Sequence, residues 1–397
     1  MTQPLPEFLR AQATLEDKYR LREGWVYLTG LQALVRLPLE QRLRDLAAGR
    51  NTAGYISGYR GSPLGRYDME LWQAAEILKE HHIVFRPGIN EDLAATAVWG
   101  SQHVGLFPGA RYDGVFAIWY GKGPGVDRSG DALKHGNYNG ASRWGGVLAV
   151  AGDDHGAKSS TVPNFSDPSF IACGMPILYP SNTQEVLELG LHGIAMSRYS
   201  GCWTGFKAVT DVIESGGTVR VGPEAVNIVL PEYPQALPRG GLYARANDLG
   251  LPKEERLYHH KLPAALAYSR ANALNRVVWD APEARLGILS AGKSFQDTLQ
   301  ALQSLGIGPA RARELGVRLG QVGLIWPLDP VFVESFARRL TALLVVEEKR
   351  PLLENQIKTI LYDATLEARP RVIGKACGAN EWSAPLSEWA LPMVGEL

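Results

Sequence analysis

Two unbroken apolar runs, Gly114-Val-Phe-Ala-Ile-Trp-Tyr120 and Gly146-Val-Leu-Ala-Val-Ala-Gly152, constrain the fold of this chain more than any other feature. A strand with one wet face alternates polar and apolar residues, whereas a strand covered on both faces does not. Each run feeds a Gly-rich polar segment, expected to be a loop: Gly121-Lys-Gly-Pro-Gly-Val-Asp-Arg-Ser-Gly130 after the first, Asp153-Asp-His-Gly-Ala-Lys-Ser-Ser160 after the second. Shorter strand candidates lie at Gly24–Gly30, Thr52–Ser57, Ile83–Phe85, Pro176–Tyr179 and Gly205–Val209, with helical patterns between them. Strands alternating with helices predict an α/β fold, a parallel sheet with helices on both faces. Ligands bind such sheets at the carboxyl ends of the strands. The polar segments after these two runs, and Gly58–Gly65 after Ser57, fall at that end.

The helical segments have less uniform signals. Leu31–Leu37 starts a helix, Pro38 is expected to interrupt it, and Leu39–Ala48 resumes it. Another helix is centred on Glu70–Lys79. Ser181-Asn-Thr-Gln-Glu185 opens a further one, to about Ser197, with the chemistry of a capping box. Prolines at 223, 231, 234, 238 and 252 mark 215–260 as a connection, which leads into a helix near Ala264–Arg276. A second α/β unit follows: strand Leu286–Ser290, helix Ser294–Leu305, strand Val317–Val322, helix Pro330–Leu340, strand Leu343–Glu347, helix Leu352–Tyr362 and a short strand Arg371–Gly374. A chain of 397 residues is long for one core. The expected division is an arm at 1–20, a domain at 21–235, a linker with a helix at 236–282, a second domain at 283–376 and a tail at 377–397.

Charge excludes some functions. With 41 basic and 41 acidic residues there is no excess to attract nucleic acid or an anionic membrane, so a small-molecule partner is expected. Cys173, Cys202 and Cys377 are odd in number and far apart, which fits neither a disulfide framework nor a metal cluster. No leader pattern and no bilayer-length apolar run is visible, and a reducing, cytoplasmic setting is expected.

Gly287-Ile-Leu-Ser-Ala-Gly292-Lys293-Ser294 matches the phosphate-binding P-loop pattern. That loop needs a buried strand before its first glycine. Ala281-Pro-Glu-Ala-Arg285 cannot be one, so Gly287–Ser290 is read as the strand itself. Gly121-Lys-Gly-Pro-Gly125 lacks the third glycine of a dinucleotide loop, and Pro124 removes a phosphate donor. No metal-ligand spacing is present, and no metal site is assigned to this chain. Asp153-Asp154-His155 reads either as loop capping or as part of a site. In Gly58-Tyr-Arg-Gly-Ser-Pro-Leu-Gly65, Tyr59, Arg60 and Ser62 can line a pocket, and Arg60 can grip a carboxylate with two donors.

The stretch Pro87–Phe107 carries an acidic pair behind Asn90. Asn90 reads as an N-cap and Asp92 as a helix-end residue. The next dozen residues hold no other charge, so the helix is expected to be buried nearly all round. That would desolvate Glu91, raise its pKa and suit it to sharing a proton.

Taken together, several long motifs resemble the indolepyruvate ferredoxin oxidoreductase family in its long fused form. They are Leu28-Thr-Gly-Leu-Gln-Ala-Leu-Val-Arg36, Ser57–Gly65, Gly88–Gln102, Trp119–Asp131, Ala151–Ser160 and Ser197–Trp203, with Val322–Leu328 and Val345–Arg350 in the second unit. The resemblance covers nearly the whole chain. It implies a thiamine-enzyme pyrimidine-binding domain followed by a transketolase C-terminal-like domain, each a three-layer parallel-sheet unit. It places Glu91 against the aminopyrimidine nitrogen of thiamine diphosphate, whose imino tautomer such a proton-sharing glutamate favours. It makes Gly58, Gly61, Glu91, Lys122 and Gly123 cofactor-binding, and Tyr59, Arg60, Ser62, Lys122 and Asp127 substrate-facing. The implied reaction is oxidative decarboxylation of an aryl pyruvate to an aryl-acetyl-CoA, with electrons passing through iron–sulfur clusters to ferredoxin.

The family's diphosphate-binding domain carries Gly-Asp-Gly and places magnesium; this chain has no Gly-Asp-Gly and no ferredoxin-like cysteine clusters. The resemblance therefore implies partners that bring the diphosphate-binding, gamma-type and ferredoxin-like domains. It also implies a homodimer, and weak cofactor binding by this chain alone. A catalytically silent scaffold or regulatory subunit of a 2-oxo acid oxidoreductase is the alternative, with a P-loop nucleotide-binding protein, on Gly287–Ser294, behind it.

Overall fold

The protein is described here by a computed structural model covering residues 13–365 and 369–375. Cys377, the tail and the first part of the arm lie outside the described residues. Fourteen strands are present among them: β1 (Gly24–Thr29), β2 (Ala53–Gly58), β3 (Ile83–Phe85), β4 (Val115–Lys122), β5 (Val147–Asp153), β6 (Ile177–Leu178), β7 (Thr204–Val209), β8 (Gly216–Val221), β9 (Asn275–Trp279), β10 (Leu286–Ala291), β11 (Val317–Val322), β12 (Leu324–Trp326), β13 (Ala342–Val346) and β14 (Arg371–Ile373).

The first sheet has seven strands in the order β12-β6-β7-β5-β4-β2-β3. The unbroken apolar runs lie at its centre: every residue of β5 is buried, as is every residue of β4 from Phe116 to Gly121. The second sheet has five strands in the order β14-β13-β10-β11-β9, and β1 pairs with β8 as a separate ribbon. The architecture is the expected α/β type with one correction. Neither sheet is purely parallel, because β12 runs antiparallel to β6 and β9 antiparallel to β11. Both are edge strands, the position at which an antiparallel strand is commonly added to an otherwise parallel sheet. Residue 276 accordingly belongs to β9, and the helix before it ends at Ala271, preceded by a π turn at Leu257–Lys261.

Pro38 does not interrupt its helix, which runs unbroken from Gly30 to Ala47. Thr29 and Gln32 form a reciprocal capping box at its start. Proline deprives the carbonyl four residues earlier of its helical donor. That carbonyl belongs to Leu34, and the buried Tyr67 hydroxyl donates to it at 3.2 Å. The helix around Glu70–Lys79 is two pieces, Tyr67–Gln73 and Ala75–Glu80.

The segment Gly121–Gly130 is not a loop. Gly121 and Lys122 finish β4, and Gly123–Arg128 is a helix with Pro124 in its first turn, where no N–H is needed. The rejected P-loop is a strand and a helix start: Gly287–Ala291 lie within β10 and Gly292 opens the helix to Ser304.

The largest hydrophobic core runs through both sheets, from Leu34, Ile118 and Val150 to Val345 and Ile357, and a separate cluster of Ile288, Phe295, Leu319 and Val346 packs on the second sheet. Polar ties cross the same junction. Glu185 in the helix Thr183–Ser200 accepts from Arg276 at 2.9 Å and from Gln321 at 2.8 Å.

Candidate functional site

Glu91 is the first residue of the helix Glu91–Ser101, and Asn90 caps it by accepting from the Leu93 N–H at 2.9 Å. The expected all-round burial is not found. Ala94, Ala95 and Val98 are buried, but Leu93 is 52% exposed, and Thr96, Ala97 and Gly100 also face outward. Small apolar residues carry no sidedness in their pattern, so the sequence could not show which face packs. Glu91 itself is half-buried, and its backbone carbonyl accepts from Trp119 Nε1 at 2.9 Å. Its carboxylate has no hydrogen-bond or ion-pair partner among the described residues. It lies against glycines: a Cβ on Gly125 would stand 2.5 Å from Glu91 Cγ and 2.7 Å from Oε1, and one on Gly121 3.4 Å from Cγ. Asp92 instead pairs with Arg128 at 3.5 Å.

The other proposed positions fall into two groups. Gly58, Gly61, Lys122 and Gly123 come together where β2 and β4 end. A Cβ on Gly58 would strike the Tyr120 carbonyl at 2.1 Å, and one on Gly61 would stand 2.8 Å from Lys122 Cβ. Gly123 is pressed against the Asn164 side chain, 2.5 Å from its would-be Cβ. The Lys122 ammonium donates to the Ser159 carbonyl at 2.9 Å. Tyr59 and Arg60 are exposed, Arg60 has no ion-pair partner among the described residues, and Ser62 precedes a cis proline, Pro63. Asp127 is engaged elsewhere, accepting from Ser169 Oγ at 2.7 Å.

Asp153-Asp154-His155, read from sequence as loop capping or part of a site, joins a second polar cluster where the carboxyl ends of β5, β7 and β13 meet; its other members, Asp167, Tyr179, Lys207, Glu348 and Lys349, were missed. Lys207 in β7 and Asp167 form a buried pair at 2.8 Å. Asp153 accepts from Ser166 N and Oγ at 2.9 and 2.6 Å. His155 lies between two carboxylates, with Nε2 3.9 Å from Asp153 and Nδ1 3.6 Å from Glu348. The Tyr179 hydroxyl donates to Glu348, and the Lys349 ammonium donates to the His155 carbonyl at 2.8 Å. Burial alone would raise the Glu348 carboxyl, but the hydrogen bond and charge of His155, with the charge of Lys207, outweigh it and hold it at about 2. Burial also raises Asp154, but four donors from Lys158, Ser159 and Ser160 bring it below the usual carboxylate range. The cluster borders a cavity of about 260 Å³ lined by Asp153, His155, Lys158, Asp211, Lys293 and Glu348, among others. A lysine at 207 inside an apolar strand and paired acids at 347–348 closing another were the available signals. Lys293 is tied to Asp297 at 2.6 Å, and a Cβ on Gly292 would stand 2.1 Å from the Tyr179 ring, so this turn is no phosphate cradle.

Comparison with known proteins agrees with this architecture. Residues 275–396 match the indolepyruvate ferredoxin oxidoreductase middle domain. The indolepyruvate oxidoreductase subunit IorA of Methanothermobacter thermautotrophicus is 27% identical over 360 residues, covering 89% of this chain and 52% of the relative. The chain is therefore similar to indolepyruvate oxidoreductase proteins along most of its length. The IorA subunit of Pyrococcus horikoshii is 25% identical, covering 85% of this chain and 47% of that relative. The chain thus spans about half the length of the curated relatives it matches. The fold recurs in a 2-oxoglutarate:ferredoxin oxidoreductase from Magnetococcus marinus (TM-score 0.61, 14% identity, 89% of this chain and 62% of that one). It recurs again in a split-gene transketolase described as an inactive beta4 tetramer (TM-score 0.52, 13% identity, 92% of this chain and 94% of that one). No described helix is long and apolar enough to cross a membrane, and no three His, Cys, Asp or Glu groups among the described residues are grouped to hold a metal ion.

Proposed function

We propose that this chain supplies the pyrimidine-side half of a thiamine diphosphate site in a 2-oxo acid oxidoreductase acting on aryl pyruvates. The observation that carries the reading is the Glu91 carboxylate. It is unpaired among the described residues, it lies where the parallel strand β4 ends, and the glycines at 121 and 125 make the room that its side chain occupies. An acidic oxygen held this way suits a ring nitrogen that must gain and lose a proton. The residues therefore fit the pyrimidine end of the cofactor, which when bound supplies the chemistry that releases carbon dioxide from a 2-oxo acid.

The chain's own residues have separate tasks. Glu91 holds the proton, and Trp119 fixes its backbone. Gly58, Gly61 and Gly123 let the strand ends and the Asn164 loop pack closely around the site, and Lys122 adds positive charge beside them. Arg60, exposed on its loop and without an ion-pair partner among the described residues, is placed for a substrate carboxylate, with Tyr59 and Ser62 beside it. Asp127 is assigned to the substrate side on resemblance, and its bond to Ser169 must break for that role. The diphosphate end with its magnesium, the iron–sulfur clusters and the coenzyme A site belong to partner domains or subunits, with ferredoxin as acceptor. A homodimer is part of the same reading.

Complementing the chain with a diphosphate-binding partner and substituting Glu91→Gln tests it. Loss of indolepyruvate decarboxylation with retained assembly is the expected outcome. A wild-type rate in that variant refutes the role of Glu91.

A further inference from the structure

Among the described residues no side chain of the second sheet bonds to Glu91 or Lys122, yet an unbroken series of contacts leads there from β13. Glu348 and Lys349 follow β13 and hold His155 from two sides, one at its imidazole (3.6 Å) and one at its carbonyl (2.8 Å). The next residue, Asp154, folds its own loop by accepting from Lys158 N at 3.0 Å, Ser159 N at 2.8 Å, Ser159 Oγ at 3.1 Å and Ser160 Oγ at 3.3 Å. The Ser159 carbonyl then receives the Lys122 ammonium at 2.9 Å. At the far side of the loop Asn164 donates to Ser160 Oγ at 3.3 Å and packs on Gly123. Ser166 closes the loop onto Asp153.

We propose that the second sheet positions Lys122 through this loop, with His155, Glu348 and Lys349 as positioning residues. The inference rests on the reading above, in which Lys122 and Gly123 border the ligand. Physically, a loop of polar residues at a strand end is mobile unless its backbone is tied down. Here one tie is local, through Asp154, and the other comes from residues nearly two hundred positions away in the chain. The second sheet is then required to hold the shape of one wall of the ligand region while touching no ligand.

The test uses the chain as it stands. Amide hydrogen exchange at 158–164 and acetylation of Lys122 are followed by mass spectrometry in wild type, Lys349→Met and the double variant Glu348→Gln/Lys349→Met. Exchange at Lys158 and Ser159 should rise about tenfold, the fold-change of one lost charge-assisted hydrogen bond, and Lys122 should label faster. Exchange elsewhere in β4 and β5 should not change. Unchanged exchange and labelling in a folded double variant overturn the proposal. Should that variant fail to fold, the same outcomes are read from Lys349→Met, which removes a single half-buried ammonium. The underlying reading fails separately: unchanged thiamine diphosphate affinity of Lys122→Met in the complemented assembly removes Lys122 from the ligand region, whatever the exchange data show.

Discussion

At Gly125 a single hydrogen atom decides where Glu91 can stand. The residue is helical with ordinary backbone angles, so Gly125→Ala meets no backbone strain, and alanine is the better helix former by about 1 kcal/mol. The added carbon would nevertheless displace the Glu91 carboxylate, which lies within 2.7 Å of it. Misplacement on the order of 1 Å at a reacting group costs about 100-fold in rate. Gly125→Ala should therefore fold with an unchanged or slightly higher thermal midpoint, while decarboxylation by the complemented assembly falls by about that factor. Unchanged turnover would mean that Glu91 does not work where it stands. Glu348 makes a second prediction at this scale. Its folded pKa of about 2 lies below the 4.5 of an ordinary glutamate, so its stabilisation is present above pH 4.5 and is lost as pH falls toward 2. Urea titrations across that window should show a steeper acid loss of stability in wild type than in Glu348→Gln.

Among the elements, the helix Gly30–Ala47 shows how a rule of sequence reading can be overridden. The helix survives Pro38 because its surroundings supply what proline removes. Tyr67 donates to the stranded Leu34 carbonyl, and a buried Arg36–Glu40 pair spans the site. Tyr67→Phe should cost about 1–3 kcal/mol, the penalty of a buried carbonyl left without a donor. In a Pro38→Ala background the helix regains its own donor and the cost should shrink, which a double-mutant cycle in urea would show. Equal costs in both backgrounds would mean that the hydroxyl is not replacing the helical bond. The same helix is tied to Thr183–Ser200 by the two-pronged Arg198–Asp45 contact at 2.6 and 2.7 Å. Asp45→Asn should destabilise the chain by about 3–5 kcal/mol, because it leaves a buried guanidinium without its counter-charge.

For the molecule as a whole, what the sequence disclosed follows from what periodicity can encode. The central strands β4, β5, β7 and β10 were legible because burial on both faces writes an unbroken apolar run. β8 and β9 were not, since half or more of the residues in each are exposed, and neither was β12, whose three residues follow β11 with one residue between. Glu91 was singled out from the acidic pair Glu91-Asp92 that heads an otherwise uncharged helix, but its packing was overstated because alanine and glycine fill exposed and buried faces alike. The cluster of His155, Lys207 and Glu348 joins three separate parts of the chain, and no local pattern encodes that meeting. One further feature bears on how the polypeptide can be handled. β12 leaves the second half of the chain to complete the edge of the first sheet beside β6. Cutting the chain near residue 282 would strip that edge and expose a row of unpaired backbone groups, a template for intermolecular pairing. The first 282 residues expressed alone should elute as aggregates in size-exclusion chromatography. Supplying the remainder in trans should restore a discrete species, as in reassembly of a split protein.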